Sequence, residues 1–211
     1  MMNRNAHPGP LQLSLVDDHD AIRDALLHML SGLGCPMHSF ASGAEFLQSA
    51  DLMAPGCVVL DLRMEHDTAG IAVFDALLQQ RSPKVVLFLS SFGDIQKALA
   101  QVKRGAFDWL EKPVDGQVLK ARVKEALQLA QSRGSAMHIW HSLTGREREV
   151  AHGVARGLSS KEIARMLVPE VDSRTVDTFR TALRDKSGIH NPADMRAWML
   201  AHAWLTQFDA G

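Results

Sequence analysis

At 211 residues the chain is long for one domain and comfortable for two of about 100 residues each, and its 46% apolar content is ample for ordinary cores. A formal charge of −1 gives no sign of a polyanion binder; the part before Leu143 holds 13 Lys+Arg against 15 Asp+Glu and the rest 10 against 9. Met1 to Pro10 lacks the apolar core of a secretory signal, and no run approaches the roughly 20 residues of a membrane span, so a soluble, cytoplasmic protein is expected.

In chain order, Leu11-Gln12-Leu13-Ser14-Leu15-Val16 is a short apolar run that ends in Asp17-Asp18, and a helix is expected near 20–32. A second strand is expected to begin at Cys35, with a helix near 43–50. Cys57-Val58-Val59-Leu60 runs into Asp61, Lys84 to Leu89 runs into Ser90, and Phe107-Asp108-Trp109-Leu110 runs into Glu111-Lys112-Pro113. Helices are expected near 69–80, 94–104 and 115–131, the last with Val118, Leu119, Val123, Ala126, Leu127 and Ala130 on one stripe. Short apolar runs alternating with helical patterns indicate buried strands of a parallel sheet. Five such units predict a doubly wound α/β domain over residues 10–131, with the flavodoxin-like strand order 2-1-3-4-5. In that order the first strand separates Cys35 from Cys57, so both are expected to be core thiols rather than a disulfide.

Gln131-Ser132-Arg133-Gly134-Ser135 breaks the pattern, and residues 132–142 are taken as a linker. From 143 to 211 only helices are expected. Thr144-Gly145-Arg146-Glu147 and Ser159-Ser160-Lys161-Glu162 both have capping-box spacing, in which hydroxyl and carboxylate satisfy exposed amides reciprocally. Asp172 suits the start of a third helix, Gly188 its end, and Asn191-Pro192 opens a fourth.

Functional groups of a parallel sheet gather beyond the carboxyl ends of its strands. Asp17, Asp18, Asp61, Ser90 and Lys112 would meet there, enough to bind a divalent cation and hold a phosphoryl group. On these five residues, with Leu60-Asp61-Leu62-Arg63-Met64 and Asp108-Trp109-Leu110-Glu111-Lys112-Pro113, the first half resembles the receiver domain of response regulators, the CheY-like fold. The resemblance implies that Asp61 is the phosphoacceptor and attacks a phosphohistidine to form an acyl phosphate. It implies that Asp18 ligates Mg²⁺ directly, Asp17 partly through water, and that Asp61 and the backbone carbonyl of Arg63 complete the protein ligands. Lys112 would pair with one phosphoryl oxygen and the Ser90 hydroxyl with another. Trp109 stands where the family has a switch aromatic; the other reading is an amphipathic surface ring. A haloacid-dehalogenase-like phosphatase would also use a strand-end Asp, but needs a second one where Arg63 stands, so no enzyme is expected. The stretch Glu65-His66-Asp67-Thr68-Ala69-Gly70 departs from the family by one extra residue, and Ser90 replaces the more usual Thr. The carboxylate and histidine so added either tune metal affinity and dephosphorylation or are solvated loop residues.

Leu143 to Val150, Gly157 to Ala164 and Arg174-Thr175-Val176 resemble the helix-turn-helix output domain of NarL/FixJ-type regulators. Val176, Phe179 and Leu183 lie three and four apart and should face the core, leaving Asp177, Thr178, Thr181 and Arg184 outward. The resemblance implies that Asp177, Thr178 and Thr181 approach base edges, while Lys161, Arg174 and Arg180 contact phosphates. It also makes the final helix, with Met195, Trp198, Met199, His202 and Leu205, a dimerisation helix; packing within the domain is the other reading. Val168-Pro169-Glu170-Val171 lengthens the preceding turn by about two residues and could tilt the recognition helix. His138 and His141 have metal-site spacing but no second ligand cluster, and are expected to be ordinary residues.

The expectation is thus a two-component response regulator, with a sensor histidine kinase and double-stranded promoter DNA as partners and a homodimer on phosphorylation. The rival is a receiver-controlled protein-interaction module whose altered helix-turn-helix no longer binds DNA.

Overall fold

In a computed structural model, residues 10–64, 68–91 and 93–206 are described. The chain divides into two compact units between Gly134 and Ser135.

The first unit alternates β1 (Gln12–Val16), α1 (Asp20–Leu30), β2 (Met37–Phe40), α2 (Gly43–Ser49), β3 (Gly56–Asp61), α3 (Ala69–Gln79), β4 (Val85–Ser90), α4 (Ile95–Lys103), β5 (Asp108–Glu111) and the first part of α5 (Gly116–Ser142). Its parallel sheet has the expected order β2-β1-β3-β4-β5. Strand period decides the layers: Val58, Leu60, Val86 and Phe88 join Phe46 of α2, Val73 and Phe74 of α3 and Ala98 of α4 on one face. Cys57, Val59, Val85 and Leu87 join Leu26 of α1 and Leu119 and Val123 of α5 on the other. Every residue of β3 and β4 is buried, which is why those runs are continuously apolar rather than alternating. At Gly70 a Cβ would lie 2.2 Å from the Asp61 carbonyl oxygen, so only glycine lets α3 approach the end of β3.

The second unit holds the end of α5, α6 (Gly145–Ala155), α7 (Ser160–Met166), α8 (Ser173–Ser187), α9 (Pro192–Ala201) and α10 (Ala203–Thr206). Thr144 and Ser159 form complete capping boxes with Glu147 and Glu162, Asp172 caps α8 and Asn191 caps α9. Gly188 ends α8 at φ 69°, a left-handed residue as expected. Pro169 lies in the turn between α7 and α8, where it interrupts no helix.

Two sequence expectations give way. The second strand begins at Met37, two residues after Cys35, because Pro36 has no amide to give the ladder. Cys35 and Cys57 are nevertheless both free thiols. The segment taken as a linker is helical: α5 continues through Gly134 to Ser142. Ala130 is buried in the core of the first unit and Ala136, Met137 and Trp140 in that of the second, and such packing outweighs the weak helix propensity of Ser and Gly. Residues 135–142 therefore belong to the second unit's core. The final helices do the same: Met195, Met199 and Leu205 are buried against α6 to α8 residues and Trp198 is half-buried, so their apolar richness is used within the unit. Leu200, 69% exposed, is the large apolar side chain that α9 leaves outside.

Candidate functional site

Two buried carboxylates at neighbouring strand ends meet one ammonium. Asp17 follows β1, Asp61 ends β3, Ser90 ends β4 and Lys112 follows β5. Lys112 Nζ donates to Asp17 Oδ2 at 2.6 Å and to Asp61 Oδ2 at 2.7 Å. Both carboxylates are buried, at 1% and 5% exposure. Asp61 Oδ1 accepts from the Arg63 amide at 3.1 Å, and Asp17 Oδ1 from the His19 amide at 2.9 Å. The Arg23 guanidinium secures the β1 end through the Asp17 carbonyl at 2.6 Å.

Burial is the strongest influence on Asp61 and, with Asp17 beside it, lifts its carboxyl above the ordinary aspartate value; Lys112 and the Arg63 amide work against the rise. Burial alone would lower Lys112, but its bonds to Asp17 and Asp61 outweigh it and hold the ammonium above the ordinary lysine value. Half-buried Asp18 stands at the rim, where the His19 ring Nδ1 lies 2.7 Å from its Oδ1. One ligand atom each from Asp17, Asp18 and His19 lies within 4.8 Å of the others. This is the one group of three metal-ligating side chains among the described residues, and His138 and His141 do not join it. The oxygens of buried Asp17 and half-buried Asp18, with buried Asp61 sharing Lys112 with Asp17, fit a hard divalent cation such as Mg²⁺.

The Ser90 hydroxyl is wholly buried and has no hydrogen-bond partner among the described residues. Ser90 is one residue past Leu89, the partner of Asp61 in the β3–β4 ladder, and an orphan donor at that strand end is what a phosphoryl oxygen would satisfy. The Lys112 amide donates to the Ser90 carbonyl at 2.8 Å, which ties the loop carrying the ammonium to the same strand. Trp109, opposite Phe88 in the β4–β5 ladder, is half-buried and packs against the face lined by α2 to α4.

Sequence reasoning passed over Asp94. Ahead of α4 it looks like a helix cap, yet its side chain makes no capping bond. It is wholly buried and pairs with the Arg63 guanidinium: Nη2 donates to Oδ1 at 2.7 Å, and Nε stands 2.7 Å from Oδ2 as an ion-pair contact. Nothing in the one-dimensional pattern signals a pair 31 residues apart. Glu65, His66 and Asp67, the extra-length loop, lie outside the described residues.

In the second unit α7 and α8 form the helix-turn-helix pair. Val176 and Leu183 are buried and Phe179 half-buried, as the spacing implies. Lys161, Arg174, Asp177, Thr178, Thr181 and Arg184 are all exposed. Thr178 and Thr181 each donate their hydroxyl to the carbonyl four residues earlier at 3.1 Å, and Ser160 Oγ donates to Asp177 Oδ1 at 2.6 Å. Arg180 departs from the set: it is half-buried and donates through Nη2 to the Leu158 carbonyl at 2.7 Å, holding α8 to the turn between α6 and α7. It does not share the outward face of the other candidate phosphate contacts. Buried Glu147 completes its capping box and also takes Lys186 Nζ at 2.6 and 2.9 Å, joining α6 to α8.

Comparison with known proteins agrees with both halves. The response regulator receiver domain matches residues 13–124, and the luxR family of bacterial regulatory proteins matches 141–199. The chain is 37% identical to the tetrathionate response regulatory protein TtrR of Salmonella typhimurium, over 82% of this chain and 84% of that one. It is 31% identical to the transcriptional regulatory protein FixJ of Bradyrhizobium diazoefficiens, over 88% of this chain and 95% of that one. Among solved structures, full-length FixJ from B. japonicum is similar at 29% identity and a TM-score of 0.54, covering 92% of this chain and 98% of that one. Among the described residues no helix is long and apolar enough to cross a membrane.

Proposed function

Because the chain belongs to the NarL/FixJ-type response regulators, a receiver joined to a LuxR-type helix-turn-helix domain, we propose that Asp61 is its phosphoacceptor and that α8 reads promoter DNA. It is a transcriptional response regulator, and that architecture implies a sensor kinase and DNA as partners.

The observation that carries the site assignment is Lys112 held between Asp17 and Asp61, with the orphan hydroxyl of Ser90 at the end of the strand next to that of Asp61. Asp61 keeps one oxygen on the Arg63 amide and the other on Lys112, so the carboxylate is oriented before any phosphodonor arrives. One of its oxygens forms the new bond to phosphorus as the phosphorus–nitrogen bond of the phosphohistidine breaks and its electron pair returns to the imidazole. Lys112 neutralises charge on the transferring oxygens, and Ser90 Oγ donates to one of them. Asp17, Asp18, Asp61 and the Arg63 carbonyl would hold Mg²⁺, which supplies further charge neutralisation when bound. Arg63, engaged with Asp94, offers no acid or base for hydrolytic turnover, which supports a phosphoacceptor rather than a phosphatase.

For DNA, exposed Asp177, Thr178 and Thr181 lie on the outward face of α8, with Lys161 and Arg174 as phosphate contacts. One small domain makes few contacts, so phosphorylation raises affinity by pairing two half-site readers, which adds on the order of 10²-fold in avidity. The test reacts the protein with a small phosphodonor and Mg²⁺ and maps the label. Label on Asp61, absent in Asp61→Asn, supports the reading; label on another residue overturns it. Sedimentation beside gel shifts tests the pairing: a phosphorylated monomer that binds as tightly as a dimer rejects it.

A further inference from the structure

Arg63 is placed to serve two anions. Its main-chain amide is fixed on Asp61 Oδ1 at 3.1 Å, so its backbone is anchored at the phosphoacceptor. Its guanidinium, on a side chain 46% exposed, is paired with buried Asp94, just before α4, through the Nη2–Oδ1 hydrogen bond and the Nε–Oδ2 ion-pair contact. Asp94 has a second cation near it: Lys97 Nζ, on the first turn of α4, stands 3.9 Å from Oδ1.

The charges of the site change on phosphorylation. Lys112 together with a bound divalent cation would balance Asp17, Asp18 and Asp61. An acyl phosphate replaces the single charge of the Asp61 carboxylate with about two. The site is then short by about one positive charge, and Arg63 is a cation whose own amide already holds Asp61.

We propose that the Arg63 guanidinium is a phosphoryl-binding group that Asp94 holds in reserve: it leaves Asp94 for the phosphoryl oxygens, and Lys97 takes Asp94 over, which rearranges the first turn of α4. The inference rests on Asp61 being the phosphoacceptor. A guanidinium matches phosphoryl oxygens as well as carboxylate oxygens, in paired bonds of similar length. Asp94 thus competes with the phosphoryl group for one donor. Its burial ensures that the exchange is felt in α4, because a buried carboxylate cannot be left without a partner.

The competition gives opposite signs for the two partners, which a purely structural ion pair does not. Beryllofluoride with Mg²⁺, a mimic of a phosphoryl group on a carboxylate, is titrated into the full chain and followed by fluorine NMR. Arg63→Ala should weaken half-saturation on the order of tenfold, the loss of a charged hydrogen bond. Asp94→Asn should strengthen it severalfold, since the guanidinium no longer abandons a carboxylate. Arg63→Lys should recover part of the loss. If Arg63→Ala does not fold, the double variant Arg63→Ala/Asp94→Asn buries no charged carboxylate at position 94, and it should bind more weakly than Asp94→Asn alone. Amide exchange at residues 94–98 should change when beryllofluoride binds the wild type and change little in the double variant. Affinity of Asp94→Asn at or below wild type, or no loss on removing Arg63, overturns the proposal. Binding that survives Asp61→Asn overturns the phosphoacceptor reading instead.

Discussion

Lys112 Nζ lies 2.7 Å from Asp61 Oδ2 while its ammonium is also bonded to Asp17, so one cation holds together two buried carboxylates from different strands. Removing it exposes a conflict that the fold otherwise contains. Lys112→Ala should cost about 3 kcal/mol in receiver stability, because each carboxylate is left buried without its partner. Added Mg²⁺ should raise the melting temperature more in this variant than in wild type, since a divalent cation can replace the missing charge. Equal Mg²⁺ stabilisation in the two proteins would show that the carboxylates do not share a cation site.

Asp61 itself carries the opposite sign. Its carboxyl is held above the ordinary aspartate value by burial and by Asp17, so the native state favours its protonated form. That contribution to stability is present below the unfolded value and is lost as pH rises through the folded one, so at neutral pH ionised Asp61 is a cost. Metal-free Asp61→Asn should melt at or above the wild-type temperature near pH 7, and the difference should shrink as pH falls into the carboxylate range. A clear drop in melting temperature at pH 7 would contradict this.

Ser90 Oγ is buried with no hydrogen-bond partner among the described residues. Ser90→Ala removes an unsatisfied group and should leave the unphosphorylated receiver as stable or more stable by about 1 kcal/mol. The same change should blunt any phosphorylation-dependent gain in DNA affinity. Chemical denaturation and gel shifts with and without phosphodonor separate the two effects; a destabilised, normally responsive variant refutes the assignment.

Lys84, just before β4, is buried with Nζ unpartnered among the described residues, and burial pushes its pKa down to about 8. Below that pH both folded and unfolded chains carry the proton and the full cost of burying the charge is felt. Between about 8 and the ordinary lysine value of 10.5 the native state gives up its proton first, so stability should rise with pH across that window. Lys84→Met should stabilise the receiver by about 1–3 kcal/mol at pH 7 and flatten that rise. Denaturant midpoints measured from pH 7 to 10 check both claims.

On the helical unit, Lys161→Ala and Arg174→Ala should each weaken DNA binding at all sequences alike and lower the salt dependence by about one counterion. Thr178→Ala and Thr181→Ala should relax sequence preference instead. Arg180→Ala should lower the unit's melting temperature, because its guanidinium holds the Leu158 carbonyl. Arg180→Ala that melts like wild type but loses a counterion would return Arg180 to the phosphate contacts.

The sequence by itself determined the sheet, its order and the caps. A buried parallel strand must be continuously apolar, and a polar residue at its end marks where the chain leaves the core, so Asp17, Asp61 and Ser90 were legible from the ends of their runs. Capping residues are equally local: Thr144, Ser159, Asp172 and Asn191 bond to amides three residues on. Only the tertiary structure decided which groups meet. Lys112 reaches across 95 residues to Asp17 and 51 to Asp61, and Arg63 reaches 31 residues to Asp94, where packing alone sets the distance. It also decided what local preference got wrong. Ser132 and Gly134 favour a break, yet α5 continues because its neighbours on both sides are buried in cores. Arg180, which the family resemblance places on DNA phosphates, donates here to the Leu158 carbonyl in the turn between α6 and α7, a contact that only the folded chain brings together.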